Sequence, residues 1–325
     1  MPDLSIIIVN WNSAEYLRTC LDTVYRFTQG ISIETIVIDN ASNDDCGAML
    51  AASFPQVRFI DSALNLGFAR ANNVAYREAT ADLLLFLNPD TEIASDALTQ
   101  LVTWMRANPE FGAAGPRLLN TDGTLQESCV QAFPTILNQV LDSDFLRRRF
   151  PASPLWGTRA LYAAEPGPAA VDAISGACFM ATRAAFEKAG LFTEDYFMYS
   201  DDLDLSYKIW HAGYKVACLT DCEVVHHGGK SSAQQSNHFA AVLQRESMAQ
   251  YFAKTRGRFY SFVYRAAMGF SALLRVAVAL ALLVVTTLLR HNVSARALVQ
   301  KWFAILAWSF GLQSWTRTAG ARTHA

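Results

Sequence analysis

The stretch that decides the fold is Leu83–Glu92, LLLFLNPDTE, in which five apolar residues end at an Asn-Pro-Asp turn. A strand that is apolar on both faces belongs to a parallel sheet covered by helices, whose ligands lie at the carboxyl ends of the strands. Pro89 lacks a backbone N–H and has a restricted φ, so it ends the strand. The stretch predicts a buried strand that delivers the carboxylate of Asp90 into a cleft. For an isolated triplet, a simple turn carboxylate is the alternative.

Apolar runs and amphipathic segments alternate around this strand. The predicted strands and helices of residues 1–110 are Leu4–Val9, Ser13–Phe27 with Ser13 as N-cap, Ile33–Asp39, Val57–Asp61, Gly67–Ala79, Leu83–Leu87 and Ser95–Ala107. Such alternation predicts an α/β fold with right-handed crossovers and a Rossmann-like, mostly parallel sheet with helices on both faces. Residues 1–110 are therefore interpreted as a nucleotide-binding half.

Residues 111–246 form the second half of the predicted domain, and their pattern is looser. Pro116 is taken as a boundary marker. The elements predicted here are a hairpin turn at Asn120–Gly123, a variable, partly helical insertion at about residues 133–170, a strand at Val171–Ala181 and a helix from Ser200 or Asp201. This half is interpreted as the acceptor-binding and catalytic half.

The charge of the chain is divided sharply between two regions. The net charge is −2, but all 29 acidic residues lie within residues 1–246, whereas residues 247–325 carry ten of the 27 Lys and Arg residues. Two physical environments are implied. We predict that residues 247–325 form a basic, apolar helical tail that associates with an anionic membrane surface.

Arg275 interrupts the apolar part of this tail and leaves an uncharged stretch of 14 residues, Val276–Leu289. A spanning helix needs about 20 residues. A helix that lies in the membrane interface, or a shallow hairpin with Leu298–Leu312, fits at least as well as a span. The alternative is a buried helical interface between the two copies of a homodimer.

The composition indicates a globular protein in a reducing compartment. The chain is 52% apolar, and its six cysteines show no paired framework, as expected for buried thiols. A zinc site at Cys218 and Cys222 is the alternative. No signal-peptide pattern precedes Leu4, so the catalytic part is expected in the cytosol. Nucleic acid is not among the expected partners.

Polar residues follow the first two predicted strands at the edge where an open α/β sheet binds its ligands. Asp39 can accept a hydrogen bond from the N3–H of uracil or thymine, while backbone groups near Val9 meet the ring carbonyls. The alternative is that Asp39 and Ser42 only cap the next helix. The candidate residues for binding the nucleobase are Val9, Asn10, Asn12, Asp39 and Asn40.

A second loop, Asn65–Asn72, has the sequence NLGFARAN. Gly67 permits a tight entry into a helix whose N-terminus faces the cleft. Asn65 and Asn72 are then placed to hold sugar or ribose hydroxyls, and Arg70 lies near the diphosphate.

Asp90 is predicted to bind a divalent cation, Mg²⁺ or Mn²⁺, with diphosphate oxygens and water completing the shell. Asn88 occupies the place of the first acid in a two-aspartate motif, so we expect weak metal binding without nucleotide. His226 follows an apolar strand, and a neutral imidazole there completes the metal shell. The alternative is that His226 and His227 face solvent as a pair.

Three carboxylates crowd the start of the predicted helix at Asp201, where the helix dipole favours ionised acids. Asp202 is predicted to be the base that removes the proton of an acceptor hydroxyl, with Asp201 as the alternative. Asp204 is interpreted as structural. The small residues Gly176 and Ala177 leave room for the acceptor beside these two carboxylates.

This ordered set of motifs resembles the family 2 glycosyltransferases of GT-A fold and, within them, the bacterial rhamnosyltransferases. The similarity covers about residues 4–232. It is carried by Ile6–Asn12, Asp39–Ser42, Asn65–Asn72, Asn88–Asp90, Ser175–Ala177, Tyr199–Leu205 and His226–Ser231.

The resemblance implies inverting transfer, with one displacement at the anomeric carbon and a single carboxylate base. It implies L-rhamnose transfer from dTDP-L-rhamnose to a lipid-linked or cell-surface polysaccharide acceptor at the cytoplasmic face of the bacterial inner membrane. A UDP-sugar-dependent galactofuranosyl, glucosyl or N-acetylhexosaminyl transferase is the alternative within the family. A non-catalytic glycan-binding or scaffold protein is the alternative of another class.

Two positions depart from the family pattern. Asp201-Asp202 stands where the family usually has Glu-Asp, which leaves the role of the first acid open. Lys208 stands where arginine is common, which replaces a planar fork by a point charge.

Overall fold

The computed structural model describes residues 1–141, 167–196, 198–228, 237–288 and 293–313, together with positions 143, 149, 150 and 153. Most of the predicted insertion at 133–170 lies outside the described residues. The same holds for the loop after Gly228 and for the end of the apolar stretch at Leu289.

The amino-terminal half forms the parallel part of the sheet, as predicted. Its strands are β1 (Leu4–Asn10), β2 (Ile33–Asp39), β3 (Arg58–Asp61) and β4 (Leu83–Leu87), in the spatial order β3-β2-β1-β4. Every residue of β4 is buried. Asn10 pairs with Asp39, so the carboxyl ends of β1 and β2 coincide.

The helices of this half are α1 (Ala14–Phe27), α2 (Cys46–Ser53), α3 (Phe68–Tyr76) and α4 (Ala97–Ala107). The prediction did not include α2, a short alanine-rich helix. Ser13 occupies the predicted N-cap position of α1, but its hydroxyl donates to the Trp11 carbonyl. The backbone N–H of Ala14 donates instead to the Asp44 carboxylate at 2.9 Å. A side chain distant in sequence therefore caps this helix.

The second half makes the sheet mixed. Its strands are β5 (Thr91–Ile93), β6 (Phe111–Leu119), β7 (Val130–Gln131), β8 (Pro168–Val171), β9 (Ala173–Ile174), β10 (Cys178–Thr182) and β11 (Lys215–His226). Its helices are α5 (Ile136–Leu141), α6 (Arg183–Lys188) and α7 (Asp201–His211). The main sheet continues β4-β10-β6-β11-β5, with β10 antiparallel to both of its neighbours.

Two predictions for this half are wrong. The single strand predicted at Val171–Ala181 is divided into three, because the chain turns at Asp172 and again between Ile174 and Cys178. Pro116 lies inside β6 opposite Leu219, and is not a boundary. Strand β10 pairs with β6 only at positions 113 and 114, so the missing N–H of Pro116 interrupts no ladder between them.

Strand β5 begins directly after the Asn-Pro-Asp turn and is too short to be recognised from its pattern. It pairs with the end of β11 in antiparallel register, so that Thr91 lies opposite His226. The backbone N–H of His227 donates to the Asp90 carbonyl at 2.9 Å. This pairing joins the two segments that carry the predicted metal ligands.

The carboxyl-terminal region consists of α8 (Asn237–Arg256), α9 (Arg258–Leu288) and α10 (Val293–Ser309). Helix α8 runs through the predicted domain boundary at residue 246. A second apolar core joins these helices to the catalytic half; its buried members include Ala173, Tyr196, Leu203, Val242, Tyr251, Phe252, Tyr264 and Trp308.

Residues Arg258–Val284 are long and apolar enough to cross a membrane, and 28% of the apolar window is buried in the protein. Arg275 is tied to the protein itself. Its Nη2 donates to the Val140 carbonyl at 2.9 Å, and its guanidinium lies 4.3 Å from the centre of the Trp302 ring. The charge that interrupts the apolar stretch therefore faces inward.

Candidate active site

The predicted metal ligands meet at the end of β4. Nε2 of His226 lies 3.2 Å from Oδ1 of Asp90, and both side chains are largely buried. The amide nitrogen of Asn88 lies 3.3 Å from the same Nε2 atom. Three residues of the two predicted motifs thus converge on one point.

Gln126 determines which nitrogen of His226 is free. Its Oε1 atom lies 2.7 Å from Nδ1 of His226 and can only accept, so Nδ1 carries the proton. Nε2 and Oδ1 of Asp90 are then two acceptors that face each other at 3.2 Å. A cation or an additional proton between them relieves their repulsion, and this arrangement fits a divalent ion.

His227 is engaged elsewhere. Its Nε2 lies 2.6 Å from the Glu92 carboxylate and its Nδ1 lies 3.0 Å from the Thr121 hydroxyl. Sequence reasoning named neither of these partners nor Gln126. No local pattern marks them, because all three contact His226 or His227 from distant parts of the sequence.

Asp39 is embedded in hydrogen bonds at the end of β2. Its Oδ1 accepts from the amide of Asn10 at 2.7 Å and its Oδ2 accepts from the Ser42 backbone N–H at 2.9 Å. The Ser42 hydroxyl also accepts from the Asn12 N–H. The loops after β1 and β2 are therefore cross-linked, and Val9 is partly exposed beside them.

Asn40 and Asn72 both lie inside the protein. Oδ1 of Asn40 accepts from the Leu66 N–H and its Nδ2 donates to the Gly67 carbonyl, which clamps this loop onto β2. Asn72 is 1% exposed and donates to the Phe68 carbonyl one turn earlier. The predicted contact between Asn72 and a sugar hydroxyl does not fit this burial.

Two other predicted residues of the loop, Asn65 and Arg70, keep partly exposed side chains. Oδ1 of Asn65 accepts from the Gly67 N–H at 2.9 Å, and Gly67 has a φ of 75°, a conformation that favours glycine. Arg70 lies 3.8 Å from Glu194. The loop geometry thus explains the glycine that the sequence placed before α3.

Asp202 lies against the small residues at the start of β10. Its Oδ2 accepts from the Gly176 N–H at 2.9 Å and its Oδ1 accepts from the Leu203 N–H at 2.8 Å. A Cβ atom at Gly176 would lie 3.3 Å from the Asp202 Cβ, so a larger residue here would crowd Asp202. Ala177 accepts, through its carbonyl, from the Asn88 N–H at 2.9 Å.

Asp204 and Lys208 belong to the protein interior. Asp204 accepts from the Thr193 hydroxyl at 2.6 Å and lies 3.2 Å from the ammonium of Lys208. Lys208 also donates to the Leu191 carbonyl. These bonds support the structural role predicted for Asp204, and they direct Lys208 towards the core.

Comparison with known proteins assigns the family. A sequence model of the family described as glycosyl transferase family 2 matches residues 5–165. An N-acetylglucosaminyltransferase from Bradyrhizobium elkanii is 32% identical over 124 residues, which is 37% of this chain and 68% of that protein. The chain belongs to glycosyl transferase family 2.

A second relative of this family 2 glycosyltransferase and a solved structure of similar fold extend the match. The N-acetylglucosaminyl-diphospho-decaprenol L-rhamnosyltransferase of Mycobacterium tuberculosis is 26% identical over 250 residues, or 73% of this chain and 80% of that one. The mannosyltransferase PcManGT from Pyrobaculum calidifontis, solved with GDP-Man and Mn2+, superposes with a TM-score of 0.58. It is 20% identical, and the match covers 96% of this chain and 87% of that chain. The predicted enzyme class and GT-A fold are confirmed.

The two candidate base residues of this family 2 glycosyltransferase differ in their surroundings. Asp201 is buried, and this burial together with the charge of Asp202 raises its pKa to about 8. Burial also raises the pKa of Asp202, but the N–H groups of Gly176 and Leu203 oppose that shift. Asp202 is the more exposed of the two. Asp202 therefore ionises before Asp201.

A carboxylate cluster of the glycosyltransferase lies at the start of α2, where ligand atoms of Asp39, Asp44 and Cys46 are within 4.8 Å of one another. Burial raises the pKa of Cys46 to about 12, so its thiol is neutral and a poor ligand. The zinc alternative at Cys218 and Cys222 is wrong. Their thiols approach different carbonyls, and all six cysteines are free and buried.

Proposed function

We propose that this chain is an inverting, divalent-cation-dependent rhamnosyltransferase. It moves L-rhamnose from dTDP-L-rhamnose to a lipid-linked or cell-surface polysaccharide acceptor. One observation carries the proposal: Asn88 donates to the Ala177 carbonyl, and the neighbouring Gly176 donates to Asp202. Two hydrogen bonds thus connect the predicted metal motif to the predicted base, so that the two parts of the proposed site lie close together.

The donor half of the proposed site is residues 1–110, to which His226 at the end of β11 is added at the cation. Asp90 and His226 hold the cation, and the cation, when bound, neutralises the charge that develops on the leaving nucleoside diphosphate. Asn10, Asn12, Asp39 and Asn40 hold the loops that receive the pyrimidine. Oδ1 of Asn10 is buried without a partner among the described residues, which leaves one acceptor in this region unused.

The acceptor half is residues 111–246. Asp202 removes the proton of the attacking hydroxyl, since its carboxylate ionises before that of Asp201 and is held by two backbone N–H groups. Asp201 stays protonated at neutral pH, so that it places no second negative charge beside Asp202. Gly176, whose N–H holds the Asp202 carboxylate, lies beside the acceptor in this proposal.

The choice of donor and acceptor is supported by the mycobacterial relative, whose name describes an L-rhamnosyltransferase acting on a diphospho-decaprenol lipid. Asp39 reads uracil and thymine alike, since both rings present an N3–H. A UDP-sugar donor is therefore the second candidate. The N-acetylglucosaminyltransferase from Bradyrhizobium elkanii supports N-acetylglucosamine as its sugar.

We further propose that the enzyme works at the cytoplasmic face of the bacterial inner membrane, with α9 and α10 lying in the interface. Large apolar side chains are exposed on both helices: Phe259, Phe262, Phe270, Leu273, Leu274, Val278, Leu298 and Phe303. Arg258 and Arg296 are exposed at the ends of this surface. The alternative is that a second copy of the chain covers this surface in a homodimer.

A panel of nucleotide sugars tests the donor. Purified protein is incubated with dTDP-L-rhamnose, UDP-glucose, UDP-galactofuranose and UDP-N-acetylglucosamine, with Mg²⁺ or Mn²⁺, and release of nucleoside diphosphate is measured. We expect release of dTDP from dTDP-L-rhamnose, and we expect chelation of the cation to abolish it. Release from UDP donors alone would replace the rhamnosyl assignment by the second candidate.

A further inference from the structure

The turn that precedes the predicted base is held in a rarely populated conformation. Tyr199 and Ser200 have φ angles of 70° and 63°, and neither is glycine. Two consecutive residues in the left-handed region persist only where surrounding structure holds them there. Ser200 is the N-cap of α7, and its carbonyl accepts from the Asp204 N–H at 2.9 Å. The turn therefore sets the direction in which α7 begins, and with it the position of Asp201 and Asp202.

Helix α8 of the carboxyl-terminal region holds this turn. Ser247 is 2% exposed, and its hydroxyl donates to the Met198 carbonyl at 2.8 Å. Met198 immediately precedes the two strained residues. On the same helix, the ammonium of Lys254 contacts the carboxylate of Asp195 at 2.5 Å. Two bonds from α8 thus reach the segment that leads into α7.

Apolar packing supports the same contact. Leu203, in the first turn of α7, is 2% exposed and belongs to the core that contains Val242, Ala249 and Phe252 of α8. The base-bearing end of α7 consequently rests on a helix that begins the carboxyl-terminal region. The donor-side residues lie on other elements. A substitution in α8 can therefore alter the position of Asp202 without altering the loops that receive the nucleotide.

We propose that Ser247 is a positioning residue for the catalytic turn, and that α8 is a working part of the acceptor half as well as the start of the tail. This proposal rests on the assignment of Asp202 as the base. Ser247 restrains the Met198 carbonyl, this restraint keeps Tyr199 and Ser200 in their conformation, and the turn keeps Asp202 against Gly176.

The test compares Ser247→Ala with Ser247→Thr and with a matched control, Ser261→Ala. The hydroxyl of Ser261 donates to the Ala249 carbonyl at 2.7 Å, a bond of the same kind between α9 and α8 that does not touch the turn. We expect S247A to lower kcat about tenfold with an unchanged KM for the donor, and S247T to restore it. We expect S261A to leave both constants unchanged. Equal kcat in S247A and wild type would overturn the proposal.

Hydrogen exchange gives a second readout that needs no substrate. In S247A, the backbone N–H of Asp204 should exchange about tenfold faster than in the wild type, while S261A should match the wild type. Unchanged exchange in S247A would also overturn the proposal. Ser247→Cys, which keeps the volume and weakens the donor, replaces S247A if that variant does not fold.

The two readouts separate this proposal from the proposed function. If the wild type releases no nucleoside diphosphate from any donor, the proposed function fails, and exchange alone shows whether Ser247 holds the turn. If the wild type is active and D202N is not, the base assignment stands. The kcat of S247A then decides the role of Ser247.

Discussion

The Nε2 atom of His226 lies 3.2 Å from the Oδ1 atom of Asp90, although the two residues are far apart in the sequence. The antiparallel pairing of β11 with β5 produces this contact. In the neutral imidazole, Gln126 accepts from Nδ1 and so leaves Nε2 without a proton. Two facing acceptors are a site that a cation stabilises, so the contact leads directly to tests of metal binding.

Removing the partner of His226 should weaken metal binding. In Gln126→Ala the imidazole loses the bond that orients it, and we expect a roughly 10- to 100-fold loss of Mn²⁺ affinity in the presence of nucleoside diphosphate. Isothermal titration calorimetry measures it. Thr121→Ala removes the corresponding partner of His227 and serves as the control. An equal loss in both variants would show that His226 is not a ligand.

Adding the acid that the motif lacks should strengthen metal binding without nucleotide. Asn88 lies 3.3 Å from Nε2 of His226, so Asn88→Asp places a second carboxylate beside Asp90. We expect about tenfold tighter Mn²⁺ binding to the nucleotide-free protein, measured by titration with paramagnetic resonance detection. Asn88→Ala should bind no more tightly than the wild type. Tighter binding by both variants would argue against a charge effect.

The two candidate base residues should respond differently to amidation. Asp202→Asn removes the base, and we expect turnover to fall at least about a hundredfold while donor binding is retained. Asp201→Asn should stay within a few-fold of the wild type at pH 7, because burial and the Asp202 charge already keep Asp201 protonated. Steady-state release of nucleoside diphosphate measures both. The assignment is reversed if D201N is the inactive variant.

Asp201 should also make stability depend on pH. Its pKa is raised from 3.8 to about 8, so between these values the folded protein keeps a proton that the unfolded chain has released. The stabilisation is full below about pH 4 and is lost as pH rises towards 8. We expect the Tm of the wild type, relative to Asp201→Asn, to fall steadily from about pH 5 to pH 8 in differential scanning fluorimetry. Parallel curves for the two proteins would contradict this shift.

The exposed face of α9 should bind lipid. Phe262, Phe270 and Val278 are 66%, 65% and 60% exposed, so a triple substitution to Ser removes apolar area without touching the core. In flotation assays with phosphatidylglycerol vesicles, we expect the wild type to float and the triple variant to stay in solution. A control variant changes Phe59 and Leu64, exposed apolar residues outside the tail, to Ser.

Two outcomes would contradict the interfacial arrangement of the tail. Resistance of the wild type to extraction by alkaline carbonate would indicate a spanning helix. A stable dimer that does not float would indicate that a second copy covers the surface. Weaker flotation at high salt is expected because the attraction of basic residues to anionic lipid is screened.

Much of the donor half was predictable because its signals are local. The apolar run at Leu83–Leu87 and the alternation around it indicate parallel strands, and the structure places β1, β2 and β4 within a residue of the predicted bounds. Polar residues at the ends of those strands follow from the same pattern. The candidate residues Asp90, Asp202 and His226 also follow from motifs taken in order along the chain.

The bonds between these motifs were not predictable. Strand β5 has three residues, too few for a periodic signal, yet it brings His226 to Asp90. Gln126 and Ser247 lie in segments whose local sequence shows no function. The inward position of Arg275 depends on the Val140 carbonyl and the ring of Trp302, which are distant in the sequence.

The sequence by itself determined the family, the fold class and the residues available for chemistry, because periodicity and motif order are properties of neighbouring residues. Only the tertiary structure decided which nitrogen of His226 is free, which acid keeps its proton and what supports the turn before Asp202. Those outcomes depend on burial and on hydrogen bonds between segments that meet only when the sheet and the helices assemble.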